Sequence, residues 1–179
     1  MPRVPIRLDH LVARVHHLWL KQWLLLAAGD FEKGDFNAMT VGWGSLGTMW
    51  NKPFAQVVVR PTRHTYAYME RYEDFSLCAF PEAYRDDLEL LGTESGRDGD
   101  KIAKTRLTPA AGRRIASPVF GQASLILECR KIYADDFRPE KFLASDIENA
   151  YPERDYHRVY FGEIVNAEGE APFHSEPTE

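Results

Sequence analysis

Arg60, Arg63 and Thr65 stand close together directly after an apolar run, and Lys101 follows further along the chain. Arginine is permanently charged and presents paired N–H groups, so it suits a phosphate or carboxylate. A helix opening just behind the arginines would add free N–H groups and partial positive charge, with Thr65 as its N-cap. Together these groups point to a bound phosphate. Lys101 sits in a polar turn with Gly96 and Gly99 and gains the same role in company with the arginines. Upstream, residues 37–53 interleave Gly42, Gly44 and Gly47 with Met39, Trp43, Met49 and Trp50. Glycine lets a backbone bend and a flat ligand approach, while aromatic and thioether side chains form a soft apolar wall. Asn37, Thr40 and Ser45 add neutral hydrogen-bonding groups. The stretch reads as a strand and turn that cradle a planar, partly polar ligand. Ser76 is placed to project toward that ligand from its own strand, and His157 and Tyr160 to line a pocket mouth.

The same stretch spells GxGxxG from Gly42 to Gly47, the dinucleotide fingerprint. That motif has meaning only where a strand closes and a long helix opens. Here Pro53 and the apolar run 54–59 arrive instead, so no crossover helix fits. No nucleophile elbow, HExxH pair or paired-cysteine metal motif occurs. No side chain is singled out as acid, base or nucleophile, and no metal site is expected; His10, His16 and His17 read as solvated surface groups. An enzyme of this composition needs a cofactor for its reactivity.

With 179 residues the chain suits one domain, and a net charge of −5 speaks against a nucleic-acid partner. Cys78 and Cys129 lie far apart without CxxC spacing, which suits buried thiols in a reducing, cytoplasmic setting. The start lacks the apolar core of a signal peptide, and the longest apolar run, 23–28, is too short to cross a membrane.

Periodicity supplies the elements that must position these groups. Leu8, Leu11, Val15 and Leu18 recur at helical spacing, which predicts an N-terminal helix within 1–20. The run 22–28 predicts a buried strand ended by Gly29 and Asp30, and 31–35 a polar turn. The β-branched run 54–59 predicts a core strand, and 66–71 a short helix. A strand is expected over 75–80, then a helix opened by Pro81, with Tyr84, Leu88 and Leu91 on one face and Gly92 as its stop. Asp98 or Asp100 caps a short helix in the turn 95–104. Strands are expected over 115–120 and 122–133; in the second, Leu125, Leu127 and Cys129 alternate with Ile126, Glu128 and Arg130, so one face turns polar midway. A helix over 138–150, a last strand over 158–165 and a mobile acidic tail over 167–179 complete the chain. Several strands joined by short turns favour a mainly β, antiparallel barrel with peripheral helices over a doubly wound sheet.

Several ordered motifs resemble one family. They comprise Asn37, Met39, Thr40, Trp43 and Gly44; Trp50, Asn51, Lys52 and Pro53; Arg60, Pro61, Arg63 and Thr65; Phe75 and Ser76; and Ser95, Gly96, Arg97, Asp98, Asp100 and Lys101. Their order and content are similar to the flavin reductase-like family, nearest to its flavoredoxin branch, over a core of about 22–165. The resemblance implies an antiparallel, Greek-key split barrel that holds FMN non-covalently, as a homodimer with flavin near the subunit interface. It implies that Asn37, Met39, Thr40 and Trp43 lie along the flavin ring and ribityl chain, that Ser76 lies near the ring, and that Arg60, Arg63, Thr65 and Lys101 meet the phosphate. It departs at Cys78 and Ala79, where a more polar or bulkier pair is expected. The implied activity is NAD(P)H-dependent flavin reduction, with electrons passed on through FMN to another flavin, a metal, a small acceptor or a redox partner protein. Two alternatives share the barrel: a flavoredoxin-like electron carrier without its own NAD(P)H site, and a flavin-free binding protein.

Overall fold

Runs rich in valine, leucine and isoleucine pair into one antiparallel sheet that curls on itself. The computed structural model describes residues 2–175. The strands are β1 (Val4–Pro5), β2 (Leu24–Asp30), β3 (Asp35–Val41), β4 (Gly44–Met49), β5 (Lys52–Val59) and β6 (Asp74–Ala79). After these come β7 (Pro109–Ala110), β8 (Val119–Phe120), β9 (Leu125–Asp136) and β10 (Arg158–Gly169). Three α-helices lie between them: α1 (Val15–His17), α2 (His64–Arg71) and α3 (Arg85–Thr93). The main sheet runs β3-β2-β6-β9-β10-β5-β4, with β1 on β10, while β7 and β8 pair separately. Thus β3 and β4, consecutive in the chain, are the two ends of the sheet, and Gly42 and Trp43 span the seam between them. This is the split barrel the sequence implies, and it explains the GxGxxG run: its glycines lie in and beside strands, and no crossover helix follows.

Burial on both faces accounts for the unbroken apolar run of β2. Leu24, Leu26 and Ala28 enter one apolar cluster with Val57, Phe75 and Leu127. Leu25 and Ala27 enter a second with Phe80, Phe120 and, from α3, Leu88 and Leu91. On β9 the polar switch has a definite use. Glu128 is buried and accepts the backbone N–H groups of Arg113 and Arg114, at 3.0 and 2.6 Å, which ties the loop before β8 to the sheet. Gly162 lets β10 cross the core closely, since a Cβ there would lie 2.6 Å from the Phe75 ring. Cys78 and Cys129 are buried and unpaired. Burial pushes the Cys78 thiol up to about 12 and Cys129 well above its ordinary value, so both pack as small apolar groups. Among the described residues no helix is long and apolar enough to cross a membrane.

Several expectations are corrected. The N-terminal segment is not one helix but a 3-10 turn (Leu8–His10), α1 and a π turn (Leu18–Gln22). Leu11 bridges to His174, and Val12 donates to the Phe173 carbonyl at 3.0 Å, so pairing with distant chain displaces local helix. Residues 138–150 hold two 3-10 turns, Pro139–Lys141 and Ile147–Ala150, instead of a helix. Ser145 and Asp146 lie between the two turns, and such side chains compete with helical hydrogen bonding. The last strand runs on to Gly169, and Phe173 packs against the core, so 167–175 is structured; residues 176–179 lie outside the described residues. In α3, Gly92 lies within the last turn instead of ending it. The strand over 115–120 shortens to β8. Lys101, not Asp98 or Asp100, holds the N-cap of the 3-10 turn Ile102–Lys104, though Asp100 just before it accepts the Ala103 N–H at 3.1 Å.

Candidate functional site

Three elements converge on one cationic cleft of about 180 Å³: β3, the start of α2 and the turn after α3. Asn37, Arg63, Thr65 and Lys101 line it together, joined by Thr62, His64, Ser95, Gly96 and Arg97. Lys101 is almost fully buried, and its Nζ donates to the carbonyls of Leu91 at 2.8 Å and Glu94 at 3.0 Å. Arg63 donates from Nη2 to the Gly92 carbonyl at 2.7 Å. Both cations therefore rest on the negative end of α3, where cations are favoured. Among the described residues neither forms an ion pair with a carboxylate; Glu94, which also lines the cleft, has its side chain taken by Lys104 at 2.6 Å. Burial, then the charge of Arg63, lowers the Lys101 pKa to about 8 against an opposing pull from Glu94. Burial, then Arg60, lowers that of Arg63. His64 is lowered by burial and by the charges of Arg97 and Lys101. Cations outnumber the one lining carboxylate, and such an excess of positive charge held partly out of water is a seat for an anion.

Thr65 is not the N-cap of α2. Arg63 holds that position, and no side chain caps the helix. The Thr65 hydroxyl instead accepts from Asn37 Nδ2 at 2.8 Å, which fixes the amide at the cleft floor. The uncapped helix start stays available to a ligand. Gly96 closes the cleft's far side: a Cβ there would lie 2.4 Å from Asn37 Oδ1 and 2.9 Å from His64 Cδ2.

A second cleft of about 270 Å³ lies at the barrel seam, lined by Met39, Thr40, Gly42, Trp43, Arg60 and His157. Asn37 and Met39 are two residues apart on β3, and Arg60 and Arg63 lie in one turn, so the two clefts are neighbours. Thr40 donates to the Leu88 carbonyl at 2.5 Å, fixing the strand against α3. Trp43 is half exposed and packs on His157 with ring centroids 5.1 Å apart. His157 shares a hydrogen bond with the Tyr151 hydroxyl at 2.8 Å, and burial with the Arg60 charge lowers its pKa to about 4. It is thus neutral at neutral pH.

Two expected site residues fall elsewhere. Ser76 is fully buried and donates to the Pro118 carbonyl at 2.5 Å, away from both clefts. Arg60 lines the seam cleft, and its guanidinium is committed to Asp155 at 2.7 Å and the Ala150 carbonyl at 2.7 Å, over the Tyr151 ring. It does not join Arg63 and Lys101. Tyr160 is core, donating to Glu70 at 2.6 Å, whereas His157 does line the cleft. His64, Thr62 and Arg97 complete the cationic cleft without having been singled out. Arg97 had a signal, a cation in the same glycine-containing polar turn as Lys101; His64 and Thr62 had none beyond their place beside Arg63.

The family model described as "Flavin reductase like domain" matches residues 22–177. No curated protein matches the chain. Among solved structures, the flavoredoxin of Methanosarcina acetivorans is 21% identical, with a TM-score of 0.66 over 93% of this chain and 72% of that one. Flavoredoxin of Desulfovibrio vulgaris (Miyazaki F) is 19% identical, with a TM-score of 0.65 over 90% of this chain and 75% of that one. An FMN-binding domain of a flavin reductases-like enzyme from Shewanella baltica is 17% identical, with a TM-score of 0.67 over 94% of this chain and 77% of that one. At these identities the likeness speaks for the barrel, and the profile match across most of the chain speaks for descent: the chain belongs to the flavin reductase-like family.

Proposed function

We propose that the chain binds FMN non-covalently and acts as an NAD(P)H-dependent oxidoreductase of the flavin reductase type. One observation carries this reading: buried Lys101 and half-buried Arg63 share a cleft and ion-pair with no carboxylate among the described residues, next to a cleft walled by Met39 and Trp43. The first suits a phosphate and the second a flat ring, and the strand β3 spaces them on one ligand. In the phosphate seat, Arg63, Lys101 and Arg97 supply charge, and the start of α2 supplies N–H groups. Asn37 and Thr65 hold the linking part. Met39, Thr40, Trp43 and His157 form the walls around the ring, and Arg60 braces one of them. Bound FMN would supply the two-electron chemistry that no side chain here provides. NADH or NADPH is the electron donor in this reading.

The flavoredoxin likeness favours a second reading, an electron carrier with the same FMN seat and no productive NAD(P)H site. Two measurements decide. The absorption spectrum of the protein after loading with FMN and removal of excess should keep a perturbed flavin band. A protein that retains no flavin overturns both readings. Anaerobic mixing of the loaded protein with NADH and with NADPH should bleach that band with one or both; a flavin that stays oxidised with both leaves the carrier.

A further inference from the structure

The family match begins at residue 22 and leaves the segment before it unassigned. That segment nevertheless reaches the barrel seam. Trp19, in the π turn Leu18–Gln22, is buried in the first apolar cluster, and its six-membered ring lies against Gly44. A Cβ at Gly44 would stand 2.4 Å from Trp19 Cη2, so the indole comes this close only because glycine is there. A Cβ at Gly42 would stand 3.3 Å from Trp23 Cδ1 and 3.4 Å from the Trp19 carbonyl. Trp43, which walls the seam cleft, therefore stands between two glycines that rest on N-terminal indoles.

Two features of these indoles carry a cost that core packing alone does not require. Trp23 has φ 64° and ψ 160°, a region of backbone space that favours glycine. The buried Trp19 Nε1 has no hydrogen-bond partner among the described residues. The strained turn is held by its neighbours. Arg85 of α3 lies over the Trp23 ring, with the guanidinium carbon 3.1 Å from the centroid, and donates to the Lys21 carbonyl. Gln22 Nε2 donates to the Phe80 carbonyl at 2.9 Å. Strain that surrounding contacts over-determine in this way concentrates where geometry is used. On the footing of the flavin-binding reading, we infer that Trp19 and Trp23 are positioning residues. They fix where the Gly42–Gly44 loop carries Trp43, and so the width of the cleft proposed for the flavin ring. Neither lines that cleft itself.

The test reads the loop first without flavin. Protein grown with fluorotryptophan has four tryptophan lines in its fluorine NMR spectrum, assigned by single Trp→Phe replacements. Trp19→Phe draws the ring back from Gly44, and Arg85→Met releases Trp23 from a half-buried position with no core cavity. Each should shift the Trp43 line and leave that of Trp50, beyond the other end of β4, in place. Leu20→Ser, exposed on the same turn, should shift neither. With flavin, Trp19→Phe and Arg85→Met should weaken FMN and riboflavin by one common factor of about threefold or more, since a loosened wall loses preorganisation while the phosphate seat is untouched. Both should also change the visible circular dichroism of the bound flavin. Thermal unfolding of the same preparations separates this from lost stability. A lower melting temperature with unchanged flavin affinity would make the two indoles core packing only and overturn the inference. So would a Trp43 line that stays in place in both variants, one that moves equally in Leu20→Ser, or a loss confined to FMN. A Trp43 line that moves in a protein that takes up neither flavin would instead sink the flavin reading and leave the positioning of the loop.

Discussion

The ammonium of Lys101 sits on the last carbonyls of α3, with the Arg63 guanidinium beside it on the Gly92 carbonyl. Such a seat satisfies donors without cancelling charge, which is the condition for attracting a phosphate. Lys101→Gln keeps a donor for the carbonyls and removes the charge. It should weaken FMN about tenfold or more, since a hydrogen bond to a charged group contributes about 1.5–3 kcal/mol. Riboflavin, which lacks the phosphate, should bind the variant and the parent alike; flavin fluorescence titration reads both. The pKa of about 8 adds a pH signature. Above it the ammonium is lost, so FMN affinity should fall as pH rises through 8, and Lys101→Gln should abolish that fall. The flavin-free fold shows the opposite trend from this group. Its folded pKa lies below the ordinary 10.5, so the unfolded chain binds the proton more tightly, and stability from this group rises between about 8 and 10.5. Arg60 behaves differently because Asp155 already holds it. Arg60→Ala should lower stability by about 1–3 kcal/mol, measured by denaturant unfolding, and change FMN and riboflavin affinity by the same factor. A loss confined to FMN would return Arg60 to the phosphate.

At the scale of elements, the cationic cleft is where three chain segments meet with little room to spare. Gly96 is the closest point of approach, against Asn37 and His64. Gly96→Ala should displace one or both, costing about 1–3 kcal/mol of stability and weakening FMN in the same variant, since overpacking forces neighbours off their positions. Thermal unfolding and FMN titration of one preparation read both effects. Unchanged FMN affinity would move the phosphate away from this turn. Elements with strong local signals were legible: β2 and β5 as apolar runs, α2 as a short helix after the arginines, and the start of α3 at the proline-led turn. Those that depend on distant partners were not. The 3.6 spacing of Leu8, Leu11, Val15 and Leu18 records one face turned to the barrel, and a chain draped over the barrel end satisfies it as well as a helix does. The segment 138–150 had helical length but lacked helical cohesion, and its one aromatic ring, Phe142, instead packs with Tyr151 and Tyr156.

The whole molecule is a sheet with two ends, one covered and one bare. β3 is flanked by α2 and α3, while β4 presents its outer edge with Met49 and Trp50 exposed. Trp50 joins Tyr133 and Phe161 in an aromatic patch beside it, at centroid distances of 6.0 and 6.4 Å. A bare edge with exposed aromatics invites a second chain, so a homodimer of the kind the family resemblance implies should bury this face. Trp50→Lys should then shift sedimentation toward the monomer; an unchanged dimer would place the interface elsewhere. Taken alone, the sequence determined the residue types of the site and the barrel that carries it. Charge chemistry at Arg63 and Lys101, the glycine and aromatic mixture of 37–53, and strand periodicity are local properties, readable without coordinates. The tertiary structure alone decided which of these groups meet. It sent Arg60 to Asp155, buried Ser76 under Pro118 and brought His64 and Arg97 into the cationic cleft. The reason is that a side chain's partners come from packing across elements far apart in the chain, whereas its chemistry travels with the residue itself.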